Sequence, residues 1–325
     1  MTLTTGSSRP RLPQQPGAAV PHASRPPGSV RLLRLGGVFV ASSAVGLVFA
    51  VVQLSLQAAR TVVYPARQLP QTTPAAYGMP FERVEFPSYD GTSLRGWYIP
   101  RGPSAIVLAH GHGGAKQDML DHAVYLQAAG HSVLMFDFRA AGESDGAHST
   151  LGYLEWQDLV GAARFLASRP DVDGHRLGLL GVSAGAAAAL QLGQDARHFK
   201  AVVADSSFAT ADTLVGRFDR WFRLPAWPFS VSVPWAIHHY VGIVPSAVAP
   251  VKEIPRISPT PVLIIHGGSD IGIPPEDAYR LYEAAREPKE LWVIATAAHA
   301  GGHGVATAEY EARVLGFFGR HLAGS

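Results

Sequence analysis

From Ala105 onward, short apolar runs alternate with segments of helical character, and that rhythm leaves few folds open. The runs are Ala105–Ala109, Ser132–Phe136, Leu177–Leu180, Ala201–Ala204, Val262–Ile265 and Leu291–Ile294. Each is short and lacks polar alternation, as expected of strands covered on both faces. Helices are predicted between them, at Lys116–Ala129, Glu155–Ser168, Ala184–Asp195, Pro275–Arg286 and Thr307–His321. Strand and helix in regular succession predict an α/β fold, a mostly parallel twisted sheet flanked by helices. Ahead of it, Arg83–Pro87 and Leu94–Ile99 flank Tyr89-Asp90-Gly91 and predict a hairpin. One stretch breaks the rhythm: residues 206–258, crowded with Trp, Phe and Pro, read as a short lid inserted after the strand at Ala201.

The N-terminal quarter has a different character. Residues 1–30 are rich in Pro, Ser, Gly and Ala, and cannot bury enough apolar surface to offset the entropy of ordering them. Residues 31–60 are expected to form a transmembrane helix, because Leu35–Ala59 runs 25 residues without a charge. At about 1.5 Å per residue, that run is long enough for a hydrocarbon core of about 30 Å. A cleaved signal peptide is the competing reading; the run exceeds the usual apolar stretch of about 7–15 residues, and no clean small-x-small site follows. A buried soluble helix is a third. Residues 61–80, with four prolines, read as a linker, which assigns the α/β body to residues 81–325.

Charge follows the same division. No acidic residue precedes Glu82, while seven of the 27 basic residues do, so the body carries 25 acidic against 20 basic side chains. A mildly acidic body implies no nucleic-acid surface. The chain has no cysteine, which excludes disulfides, a thiol nucleophile and thiolate metal sites.

Gly181-Val182-Ser183-Ala184-Gly185 lies between a predicted strand and an Ala-rich helix. A G-x-S-x-G run in that context predicts a nucleophile elbow, with Ser183 as nucleophile and the helix N-terminus facing any oxyanion formed there. Glycines serving only a tight turn are the bland alternative. His110-Gly111-His112-Gly113-Gly114 ends the first buried strand, and its backbone can approach a substrate oxygen. The oxyanion hole is therefore assigned to the N–H groups of His112 and Ala184. His110 and His112 with Asp118 and His122 also resemble ligand spacing, but no carboxylate sits within a tight histidine cluster, and no metal or other cofactor is expected.

Asp270 follows a buried strand and can orient a histidine, or it can serve only to cap the helix behind it; Asp205, at another strand end, is the weaker candidate. Asp137 reads as structural, tying the turn from Arg139 to Gly146. His299, in the loop after the last strand, is the expected general base, giving the chain order Ser, Asp, His. His303 is its rival. The remaining histidines, including His238-His239, read as surface or packing residues.

The His110–Gly114 loop, the run Asp137-Phe138-Arg139-Ala140-Ala141-Gly142-Glu143-Ser144, the Gly181–Gly185 elbow, Gly267-Gly268-Ser269-Asp270 and His299 together resemble the α/β-hydrolase superfamily. Within it the chain is similar to the membrane-anchored Bem46-like, or serine-aminopeptidase-like, hydrolases, over about residues 80–322. The approach to the histidine departs from the commoner proline- and glycine-rich form, being Ala295-Thr296-Ala297-Ala298, and leaves His299 and His303 to be told apart.

The expected chemistry is two-step acyl transfer to water. The lid aromatics either pack the lid down or line an apolar acyl pocket; in the second case Trp221 and Trp227 contact a small-molecule ester. A peptidase that grips a substrate amine should need acidic groups in the lid, which holds Asp212, Asp219 and Glu253 against five basic residues. A membrane-tethered interaction protein on a hydrolase fold is the non-enzymatic alternative. The weak excess of arginine ahead of the apolar run places the N-terminus inside and the catalytic body outside the cell membrane.

Overall fold

The computed structural model of the chain describes residues 2–3, 28–215 and 225–324. Two compact units are present, Met1–Phe49 and Ala50–Ser325. The first holds the start of helix α1 (Gly28–Val63), where every side chain from Leu32 to Phe49 is exposed. The stretch Leu32–Val63 is long and apolar enough to cross a membrane.

The second unit is built on an eight-stranded sheet in the order β1-β2-β4-β3-β5-β6-β7-β8. The hairpin is β1 (Glu82–Pro87) and β2 (Ser93–Ile99), with β2 antiparallel to β4 as well. The strands β3 (Ala105–Ala109), β4 (Ser132–Phe136), β5 (Leu177–Val182), β6 (Ala201–Asp205), β7 (Val262–Gly267) and β8 (Lys289–Ile294) are parallel. Strands β3, β4, β6 and β7 are buried at every position, which explains their unbroken apolar runs.

Two layers of core follow from the two faces of the sheet. On one face α3 (Glu155–Ala167), α4 (Ala184–Gln191) and α6 (Pro275–Ala284) bury Leu159, Leu166, Leu190 and Leu281 against Val107, Leu179 and Val202. On the other, α2 (Leu120–Ala128) and α7 (Thr307–Leu322) bury Leu126, Phe317 and Phe318 against Ile106, Leu108 and Val203. Between β6 and β7 the chain leaves the sheet and forms α5 (Ala226–Val241), with a C-terminal turn at Gly242 in the left-handed region.

The compact unit begins ahead of the hairpin. Residues 61–80, expected as a linker, are held to the body. Ser55, Ala58, Ala59, Val62 and Val63 are buried on the last turns of α1, packed on Phe229, Val233, Ala236 and Ile237 of α5. Arg67 then donates to the carbonyls of Ala141, Gly142, Ser144 and Gly146, and closes that turn from outside. Burying Val62 and Val63 stabilises the join by about 1.5–3 kcal/mol each, which a free linker would not gain.

Candidate active site

Ser183 sits where β5 turns into α4, with φ 56° and ψ −116°, a backbone state that non-glycine residues rarely hold. The turn is that sharp because the two flanking chains nearly touch. A Cβ on Gly181 would stand 2.4 Å from the Gly185 carbonyl oxygen, and one on Gly185 would stand 2.3 Å from the Ala109 carbonyl oxygen. Both positions therefore exclude any side chain, and the G-x-S-x-G spacing is a packing requirement as much as a chemical one.

The Ser183 Oγ lies 2.8 Å from His299 Nε2, and His299 Nδ1 lies 2.6 Å from Asp270 Oδ2. Three strand ends supply these groups: β5, β7 and β8. Because a carboxylate accepts at Nδ1, that nitrogen carries the proton and Nε2 is left to accept from the serine. The other Asp270 oxygen accepts from the N–H groups of Gly272 and Ile273 at 2.9 and 2.8 Å. Burial raises the Asp270 pKa, but the hydrogen bond and charge of His299, with the Ile273 N–H, outweigh it and leave the carboxyl below its ordinary range. Asp270 is thus held ionised beside the imidazole.

The two rival residues have other partners. His303 bonds Glu311 at 3.0 Å and packs against His122, Tyr125 and Tyr310. Asp205 is fully buried and accepts from Tyr310 Oη at 2.8 Å and from Ser206 Oγ at 2.9 Å. Ser206 Oγ in turn accepts from the Ala300 N–H at 3.1 Å, so this network braces the loop that carries His299.

The loop after β3 faces the serine from the other side. A Cβ at Gly111 would lie 3.4 Å from Ser183 Cβ, and His112 and Ala184 both line the cavity in front of Ser183. The Ala184 N–H belongs to the first turn of α4, where N–H groups have no partner within the helix. His110 does not face the cavity as a ligand would: Nδ1 donates to the Gly111 carbonyl at 2.7 Å and Nε2 accepts from the Phe138 N–H at 3.1 Å. Asp118 accepts from the Ala115 N–H, and His122 is buried against Tyr125. Among the described residues, no three His, Asp or Glu side chains converge as metal ligands.

Asp137 lies under the same loop. It accepts from the Lys116 N–H at 2.8 Å, from Lys116 Nζ at 2.5 Å and from the Glu143 N–H at 2.9 Å. This wholly buried pair ties the turn after β4 beneath the oxyanion loop.

In front of Ser183 and His299 lies an apolar cavity of about 540 Å³. Its walls include Leu151, Val182, Phe208, Leu214 and Ile273 from the body. The rest comes from an unexpected place: Thr61, Val62, Pro65, Ala66 and Gln68, at and just beyond the end of α1. Gln68 Nε2 donates to the Gly113 carbonyl at 2.7 Å. None of these was singled out in the sequence. The signal was present, because Ser55, Ala58, Ala59, Val62 and Val63 follow a helical stripe of spacing i, i+3, i+4, i+7, i+8.

The expected acyl wall is differently made. Trp221 lies outside the described residues. Trp227 is 79% exposed and is not among the residues lining the cavity. Of the aromatics noted between 206 and 258, Phe208 lines the cavity and Phe229 packs α5 on α1. The reason is geometric: α5 turns its inner face to α1, and α1 rather than α5 supplies the wall.

Comparison with known proteins bears on the family and the fold. The prolyl oligopeptidase family matches residues 119–325. The chain is 34% identical to YfhR of Escherichia coli O157:H7 over 227 residues, covering 67% of this chain and 73% of that one. It is 31% identical to YqkD of Bacillus subtilis over 237 residues, covering 68% and 75%. Among solved structures, the Pyrococcus furiosus esterase Pf2001 superposes with a TM-score of 0.70 at 27% identity, covering 81% of this chain and 99% of that one.

Proposed function

The chain belongs to the prolyl oligopeptidase family and is an α/β hydrolase, and on that premise we propose that it hydrolyses carboxylic esters through an acyl-enzyme on Ser183. The observation that carries the proposal is the unbroken relay Ser183–His299–Asp270 opening on an apolar cavity. Ser183 Oγ attacks the ester carbonyl as His299 Nε2 takes its proton; Asp270 stabilises the imidazolium that forms. The N–H groups of His112 and Ala184 receive the oxyanion, each contributing about 3–4 kcal/mol to the transition state. His299 returns the proton to the departing alcohol, and then activates water to release the acid. The residues need no metal or cofactor for these steps.

The kinship of the YfhR-like and prolyl oligopeptidase proteins keeps a peptidase as second reading. An amine-gripping site needs a carboxylate, and among the described residues lining the cavity there is neither Asp nor Glu. The acyl group of the substrate is therefore apolar. A panel of aryl esters of graded chain length beside aminoacyl anilides tests this, with fluorophosphonate labelling to mark the serine. Faster turnover of the anilides would overturn the ester assignment, and an unlabelled Ser183 would favour the non-enzymatic alternative.

We further propose that α1 spans the cell membrane and holds the body outside. This rests on its length and its uncharged run Leu35–Ala59, with Arg25, Arg31 and Arg34 ahead of it.

A further inference from the structure

Helix α5 is unusual for a helix at a protein surface. Its sequence, AWPFSVSVPWAIHHYV, has no Asp, Glu, Lys or Arg. The inner face, Phe229, Val233, Ala236 and Ile237, is buried against the end of α1. The outer face carries Val231, 67% exposed, and Trp235, 51% exposed, one turn apart, with Trp227 at the start of the helix 79% exposed. A surface helix normally sets charges opposite its buried stripe; here that side carries the apolar Trp227, Val231 and Trp235, interrupted by exposed Ser230 and followed by exposed His238 and His239.

We propose that this outer face of α5 seats on a lipid bilayer, beside the point where α1 enters the body. The helix that covers the inner face of α5 is the one that carries the long uncharged run. Val51 and Ser55 of α1 reach the same cluster, and Ser55 Oγ donates to Ser232 Oγ of α5 at 2.7 Å. Tryptophans with an apolar body and one polar N–H suit the headgroup level, where the exposed Ser230, His238 and His239 keep polar partners. Trp235 stacks on His239, with ring centroids 5.7 Å apart, so the polar end of the stripe lies at the helix C-terminus. Because Thr61 and Val62 line the cavity, a seated α5 sets the mouth at the interface and selects esters that partition into the membrane, such as acylglycerols or similar amphiphiles. The proposal rests on the membrane-spanning reading of α1 and deepens the esterase assignment.

The chain contains no cysteine, so single-cysteine variants of the full-length protein report one place each. Val231→Cys on α5, Val45→Cys in the apolar run of α1, and Ser168→Cys, exposed where α3 leads toward the start of β5, are labelled with an environment-sensitive fluorophore. The proteins are placed in phosphatidylcholine and phosphatidylglycerol vesicles, with nitroxide lipids or aqueous iodide as quenchers. The expected result is that nitroxide lipids quench the Val231 and Val45 labels and that iodide quenching of the Val231 label falls several-fold below that of the Ser168 label. If the Val45 label is lipid-quenched but the Val231 label behaves like the Ser168 label, the seating proposal fails and the anchor stands. If the Val45 label meets only iodide, the anchor reading fails and takes the proposal with it. A Val231 label shielded from both quenchers would assign the face to a second copy of the chain and overturn the lipid assignment.

Discussion

Ser183, His299 and Asp270 stand in hydrogen-bond contact before any substrate is present, so single side-chain deletions should read cleanly. Ser183→Ala keeps the Cβ that the elbow already accommodates, and it should leave the melting temperature nearly unchanged while kcat for an aryl ester falls by about 10⁶, as comparable nucleophile deletions do. A loss of only a few-fold would sink the assignment. His299→Ala should match it, whereas His303→Ala should lose less than about tenfold, because only one imidazole can serve one hydroxyl. Ser183 and Asp270 could be singled out as candidates in the sequence because each lies just past a buried strand. The choice between His299 and His303 could not, since both lie in one loop; it depends on the helical turn Gly302–Val305, which carries His303 away to Glu311. A buried histidine elsewhere sets a pH limit. Burial, helped by the charge of His303, lowers the His122 pKa from 6.5 to about 3, and burial lowers that of His110 in the same sense. Between pH 6.5 and 3 the unfolded chain binds more protons at His122, so stability is complete above 6.5 and falls as the pH drops through that window. At pH 5 the loss from His122 is about 2 kcal/mol. Thermal melts of wild type and His122→Gln from pH 7.5 to 5 should show a shallower decline in the variant, and parallel curves would assign the acid sensitivity elsewhere.

Secondary structure was legible wherever one run is one strand, and helix ends were not, because the ends are set by tertiary contacts. The Ala-rich helix expected to reach Asp195 stops at Gln191, where Gly193 takes φ 52° and the chain tightens into a 3₁₀ turn. The larger departure is at α1. Its uncharged run hid a change of environment, in which the outer turns are exposed and the last ones present a stripe of small side chains to α5. Proline-rich composition then suggested a linker where Arg67 in fact grips the turn after β4 and Gln68 the loop after β3. The site consequently extends further upstream than its motifs do. Removing residues 1–49 should leave a folded unit with near-native kcat/KM on short aryl esters. Removing residues 1–68 strips one wall of the cavity and uncovers Phe229 and Val233; it should lower the melting temperature and raise KM far more than the first cut. Equal activity of the two truncations, measured in detergent, would mean that the end of α1 is ornamental. On the opposite wall, Leu214→Trp narrows the cavity. It should spare acetyl esters and penalise longer ones progressively, since each methylene denied burial costs about 0.8 kcal/mol. A uniform loss across chain lengths would place the acyl group elsewhere.

For the whole molecule, the membrane span proposed for α1 sets the hydrolase on one side of a bilayer. Arg67 is engaged with carbonyls of the body, which leaves exposed Arg60 behind the uncharged run against Arg25, Arg31 and Arg34 ahead of it. An added protease should therefore reach the body in spheroplasts and spare it in inside-out vesicles; the reverse pattern would invert the orientation. Recovery of a soluble fragment from the medium would instead support a cleaved signal. The cavity has a further consequence for how the protein is made. Its wall at Thr61–Gln68 leaves the ribosome first, the serine well after, and His299 later still. A nascent chain halted at any point short of the last loop carries its nucleophile without a base to activate it.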